Sequence, residues 1–162
     1  MDGESESAKQ RLDKINKALE EYEHSIGIPV LAPHNEAERY LNMSHKEMNH
    51  LSDIDCGEAA TVLAQYSFHI QRAANKELGI ANWADDMAKK AIASELQQYR
   101  GASFEERRMQ ALKENEYANK LDQIRIWARA RYDKIAFLSN RIEFIARTFM
   151  DLQQTKRRQR GT

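Results

Sequence analysis

From residue 117 onward the apolar positions fall into an unbroken rhythm. Tyr117, Leu121, Ile124, Ala128, Arg131, Ile135, Leu138, Ile142, Ile145, Phe149 and Leu152 are spaced alternately by four and three residues. That spacing puts them on one stripe of an α-helix and, held over five heptads, matches a coiled-coil seam. The pattern predicts one uninterrupted helix from Ser103 to about residue 155, roughly 75 Å long at 1.5 Å per residue. Upstream, Leu63, Tyr66, Ile70 and Ala73 form one stripe, and Ile80, Ala84, Met87 and Ala91 form a second, slightly rotated one. Together they predict another long helix over about Cys56–Tyr99, with Gly79 as the place for a bend. Arg100-Gly101-Ala102-Ser103 reads as the reversal between them: Gly101 can take the left-handed conformation that ends a helix, and Ser103 with Glu106 has the spacing of a capping box. Two helices of similar length joined by a short turn predict an antiparallel hairpin.

The N-terminal third is more broken. Leu12, Ile15, Leu19, Tyr22 and Ile26 predict a helix over about Ser7–His24, stopped by Gly27 and Pro29, with a connector over 26–34. Two short helices follow. Asn35 caps one through Leu41, and Ser44 with Glu47 makes a capping box for the next. Asp55 with Glu58 repeats the box spacing. The expected fold is all-α: a long antiparallel helical hairpin, coiled-coil-like, with an N-terminal helix and short helices. Its divisions are an acidic segment over 1–55, the hairpin over 56–155 and a mobile basic tail over 156–162.

Composition fits this picture and extends it. Two Pro and six Gly in 162 residues, with 31% charged residues, favour long helices. A hydrophobic content of 41% supplies seams more readily than a large globular core. Helices paired two at a time leave apolar stripes uncovered, so the chain is expected to self-associate, with Leu121, Ile124, Arg131, Ile135, Leu138, Ile142, Ile145 and Phe149 forming the seam that oligomerises. The single cysteine, Cys56, permits no internal disulfide and suits a reducing compartment. The acidic start, Met1 to Lys9, does not read as a signal peptide, and no stretch approaches the ~20 apolar residues that span a bilayer. A cytoplasmic protein that engages no membrane is expected.

Net charge is zero but unevenly spread: residues 1–60 carry seven more acidic than basic side chains, and residues 120–162 seven more basic than acidic. Such polarity suits head-to-tail stacking, or one basic surface offered to an anionic polymer. Arg125, Arg129, Arg131, Lys134, Arg141 and Arg147 run along the last helix, and Lys156, Arg157, Arg158 and Arg160 close the chain. Trp127, Tyr132, Phe137 and Phe144 are interleaved with them. Guanidinium groups grip phosphates and aromatic faces stack on unpaired bases, so the combination points to single-stranded nucleic acid. The rival reading is a solvated helix face. Arg131, at a seam position, either fixes register against a carboxylate such as Glu77 or Asp86, or faces the lumen of a ring. Trp83 and Trp127 fit a hairpin contact, an assembly interface or a stacking platform, with core or interface packing the default reading.

Other chemistry finds little footing. Glu21-x-x-His24 and Glu47-x-x-His50 have the spacing of di-iron bundle ligands, yet they lie at a helix end and on a short helix rather than in a bundle interior. Asp53-x-Asp55-x-Gly57 lacks the remaining ligands of a calcium loop. Cys56 has no cationic neighbour in sequence to activate it, and there is no phosphate loop or nucleophile elbow. No metal, no cofactor and no catalysis are expected.

Lys89-Lys90 ahead of an apolar and small stretch, Tyr99 and Gly101 at the turn, and a long helix with Asp122, Trp127 and Arg141-Ile142-x-x-Ile145 carry a resemblance to the UvsY family of phage recombination mediators. It covers roughly residues 86–155. The resemblance implies a homo-oligomer, a ring of six or seven subunits, that binds single-stranded DNA and loads a RecA-like recombinase onto DNA covered by single-strand-binding protein. For a phage protein, the location implied is the host cytoplasm. One departure is clear: where the family has a short basic motif before the turn, this chain reads Ser94-Glu95-Leu96. The binding residues expected from charge and resemblance together are Lys89, Lys90, Arg100, Arg107, Arg108, Arg125, Arg129, Arg141, Arg147, Lys156, Arg157 and Arg158. The alternative is a structural or adaptor coiled coil of phage assembly or scaffolding that binds no nucleic acid.

Overall fold

The computed structural model describes residues 7–25, 36–99 and 103–160. Among these the fold is all-helical: α1 (Ala8–Ser25), α2 (Ala37–Leu41), α3 (His45–His50), α4 (Asp53–Ile92), a 3-10 turn (Glu95–Gln97), α5 (Phe104–Glu114), α6 (Glu116–Ile135) and α7 (Leu138–Arg160). The chain divides into two compact units. One holds α1, α4 from Lys76 onward, the 3-10 turn, α5 and α6 through Tyr132. The other holds α2, α3, α4 through Asn75, and α7 with the three residues that end α6. These units do not follow the expected divisions at 55 and 155.

In the first unit the second half of α4 runs antiparallel to α6. Glu77 meets Arg131 near one end, while Ala91 meets Asn115 near the other. The seam is rich in alanine: Ala88, Ile92, Ala111, Leu112, Ala118 and Leu121 are buried together with Ala8 of α1. Leu12 and Ile124 cover a second cluster of Ile80, Ala81 and Ala128. Small side chains let the helix backbones approach closely, so dispersion contacts replace bulky burial. Arg11 over the Tyr117 ring, 5.6 Å from its centroid, and Lys76 to Glu20 at 2.9 Å fasten α1 to α6 and α4.

In the second unit the first half of α4 runs antiparallel to α7 over a larger-residue core: Tyr40, Cys56, Val62, Leu63, Ile142 and Phe149, with Ala59 and Ala146 between them. The rings of Tyr40 and Phe149 meet edge to face, with centroids 6.0 Å apart. Buried Ser67 donates to the Ser139 carbonyl at 3.1 Å, and Ser139 Oγ donates to Gln71 Oε1 at 2.6 Å.

Local signals set most boundaries. Both capping boxes expected at Ser44/Glu47 and Ser103/Glu106 form, with reciprocal bonds of 2.7–3.3 Å. The box at the start of α4 lies three residues earlier than expected: Ser52, not Asp55, is the cap. Asp55 accepts from the Ser52 backbone at 3.0 Å and donates its own N–H to Ser52 Oγ at 3.1 Å. Both acidic partners gain from this. The Ser44 hydroxyl and backbone hold the Glu47 carboxyl below its ordinary value, and Ser52 does the same for Asp55. Asn35, Gly27, Pro29 and the Arg100–Ala102 reversal lie outside the described residues. The hydroxyl of Tyr99 bonds the Glu114 carboxylate, which pushes its pKa up to about 12 and joins the end of the 3-10 turn to α5.

The uninterrupted helix from Ser103 to 155 is not formed; α5, α6 and α7 stand in its place. The first break is built by Asn115. Its backbone leaves the helical region, its Oδ1 caps α6 by accepting from Ala118 N at 3.0 Å, and its Nδ2 donates to Glu95 at 3.1 Å and Ala91 O at 3.4 Å. Asparagine competes well for such bonds, so the interruption is satisfied rather than strained. The second break, at Ala136-Phe137, has neither Gly nor Pro. It shifts the buried stripe: Leu138 is 40% exposed and Ser139 takes the inward place. The expected mobile tail is also corrected. Helix α7 continues to Arg160, Lys156 donates to Asn49 O at 2.7 Å, and Arg157 and Arg160 pair with Asp53 at the start of α4.

Candidate nucleic-acid-binding surfaces

The expected binding residues separate by what their charges already hold. In the first unit Arg108 is deeply engaged, its side chain only 16% exposed: Nη2 lies 2.9 Å from Asp85 and 3.2 Å from Asp122. Arg125 Nε lies 2.8 Å from Asp122, and Lys89 closes onto Asp85 from one turn along α4. Burial raises the Asp85 pKa, but the hydrogen bonds and charges of Lys89 and Arg108 outweigh it and hold the carboxyl below its ordinary value. Asp122 holds the Arg125 guanidinium more firmly protonated. Arg108 and Arg125 therefore act as pins joining α5, α4 and α6. Arg107 is half-buried, with its Nε enclosed. Lys90 is exposed, and Arg100 lies outside the described residues. Arg129 lies over the Tyr132 ring at 5.2 Å.

Arg131, placed on the seam by the heptad pattern, reaches out from it to Glu77 at 2.9 Å, and this bond keeps its guanidinium firmly charged. Nearby, α1 and α6 enclose a groove of about 460 Å³. Leu12 and Ile124 make its apolar wall, Trp127 stands beside them 62% exposed, and Lys9, Lys120 and Arg131 supply cations. Lys120 was not singled out from sequence. The available signal was its position one heptad before Trp127, which places both on one helix face.

In the second unit Phe137 and Phe144 are each 72% exposed, and Arg141, also exposed, sits between them at spacings of four and three. Arg141 and Phe144 share the outward side of α7, and Phe137 stands exposed at the break just before it, its carbonyl accepting from Arg141 N at 3.4 Å. Arg147 is exposed and 4.0 Å from Glu143. Arg158 is exposed at the end of α7, where Lys156 and Arg157 make the contacts given above. Ile142 and Phe149 are buried in this unit's core and Ile145 packs against it; Leu121 and Ile124 serve the first unit in the same way, and Ile135 is half-buried. The stripe expected to join subunits is thus largely consumed within the chain.

Other candidate groups are otherwise occupied. Glu47 is held by Ser44, Glu21 lies 3.9 Å from Lys17, and Asp53 and Asp55 serve the ion pairs and cap already described. Among the described residues no three His, Cys, Asp or Glu side chains converge as a ligand set. Burial pushes the Cys56 thiol up, away from the reactive thiolate. No helix among the described residues is long and apolar enough to cross a membrane. Compared with family models, with curated proteins and with solved structures, the chain matches none.

Proposed function

We propose that this protein binds single-stranded DNA without sequence preference, as a homo-oligomer, and serves as a mediator that helps a RecA-like recombinase onto strands covered by single-strand-binding protein. The observation that carries the binding step is the exposed group of Phe137, at the break before α7, with Arg141 and Phe144 on the first turns of α7. Two exposed phenyl rings with a guanidinium between them match what an unpaired strand offers: π-faces at intervals joined by phosphates. The recombinase step rests on the family resemblance of residues 86–155 alone. Self-association no longer draws on the heptad seam, which the chain buries itself, and falls to exposed apolar groups such as these phenylalanines.

Those same groups favour a second reading, in which Phe137 and Phe144, one heptad apart, receive a helix of a protein partner and no nucleic acid binds. A labelled oligo-dT strand measured at two salt concentrations separates the readings. The mediator binds at low salt and weakens steeply as salt rises, and a Phe137→Ala, Phe144→Ala double variant loses most of that affinity. A protein whose wild-type form binds no strand at either salt is the adaptor.

A further inference from the structure

We propose that the groove between α1 and α6 is a base-stacking subsite, holding one unpaired base of the bound strand against Trp127 and its phosphate between Lys9 and Lys120. The inference rests on the strand-binding reading and adds a site in the first unit, giving Trp127, one of the stacking platforms offered by the sequence, a groove to serve. Three features carry it. The groove's volume, about 460 Å³, accommodates a nucleobase with its sugar. Its wall, Leu12 and Ile124 beside the indole, is apolar and suits a flat ring. Among the described residues its lining includes three cations, Lys9, Lys120 and Arg131, and no carboxylate. An apolar slot edged by Lys9, Lys120 and Arg131, with the neutral Ser7 and Gln123, is complementary to a ligand that is aromatic at one end and anionic at the other.

The neighbouring carboxylates do not oppose this. Glu116 meets Lys120 at 2.6 Å and Glu77 meets Arg131 at 2.9 Å, but neither lines the groove. The Lys120–Glu116 pair is solvent-exposed, and such pairs yield readily to a phosphate. The rim also explains why Trp127 can remain uncovered: a tryptophan beside a groove is a poor packing residue and a good platform.

The test uses Trp127 as its own reporter. Trp83 is the chain's other tryptophan, so a Trp83→Phe protein leaves one emitting indole. Titrating it with oligo-dT should quench and shift Trp127 emission, while a strand of abasic phosphodiesters of equal length binds without that change. Trp127→Ala should weaken oligo-dT binding roughly ten-fold, with Trp127→Phe recovering much of it. Lys120→Ala should lower the salt slope by about one contact. Circular dichroism on each variant verifies the fold. Strand binding with unchanged Trp127 emission and full affinity in Trp127→Ala overturns the subsite and leaves the strand-binding reading standing. Absence of oligo-dT binding in the wild-type protein overturns both. Equal quenching by a poly-glutamate peptide overturns the subsite in favour of an acidic protein partner.

Discussion

The two units solve the same packing problem with different chemistry, although α4 contributes to both. In the first, alanines bring the helices close and an ion network of Asp85, Asp122, Lys89, Arg108 and Arg125 fixes how they meet. In the second, Phe149, Tyr40, Leu63 and Ile142 fill volume, and neutral bonds among Ser67, Ser139 and Gln71 set the register. The core of one interface is specified mainly by charge and that of the other mainly by shape, with charge entering the second at Asp53 and Glu143. They should therefore fail under different insults.

The largest effect should come from the shape-specified unit. Phe149 is fully buried against Tyr40, so Phe149→Ala leaves a cavity and should cost about 3–5 kcal/mol in denaturant unfolding. Hydrogen exchange should show the loss in α2 and α7; protection lost first in α5 would break the division into two units. Arg108→Ala should cost about 2 kcal/mol, because it removes the charged hydrogen bonds that Asp85 and Asp122 share while leaving them Lys89 and Arg125. A loss below about 1 kcal/mol would mean the network contributes no more than a surface pair.

Acid sharpens the contrast. The folded-state pKa of Asp85 is lowered, so its contribution is fully present above the ordinary carboxylate value of 3.8 and is lost as pH falls through the depressed one. The melting temperature of Asp85→Asn should accordingly fall less than that of the wild type between pH 4 and pH 2; parallel curves would show that the carboxyl's charge does not matter. The smallest effect is a gain. Gly79 lies inside α4 with open space where a side chain would stand, so Gly79→Ala should stabilise by up to about 1 kcal/mol in the same denaturation experiment.

These contrasts also explain what the sequence made legible. Helix positions, the Ser44 and Ser103 caps and the Glu77 partner of Arg131 could be read because each depends on residues a few positions apart or on a stripe's direction. The breaks after α5 and α6 could not be read from the stripe. A cap such as Asn115 interrupts the backbone while the three-four spacing continues on either side, so apolar periodicity alone does not register it. The cue was Asn115 itself, three residues before Ala118, a spacing that also occurs inside helices. Arg125's partner Asp122, three residues before it on α6, was within reach of the sequence, but the fate of Arg108 was hidden for another reason. A cation's availability depends on which carboxylates approach from other helices, and Asp85 lies 23 positions away from Arg108 along the chain. Charge counting sees surface where the folded chain has spent the charge. Conversely, the groove at Trp127 exists only because α1 lies alongside α6, and no spacing within either helix announces it.

Cys56 gives the second unit a built-in clock. It is the chain's sole thiol, is wholly enclosed beside Phe149's cluster, and is held protonated by its surroundings. A thiol-reactive dye can therefore modify it only during moments when the base of α4 parts from its neighbours. The rate of that modification, set against the rate for a free thiol, reports how often this half of the fold opens in the intact, unmutated molecule.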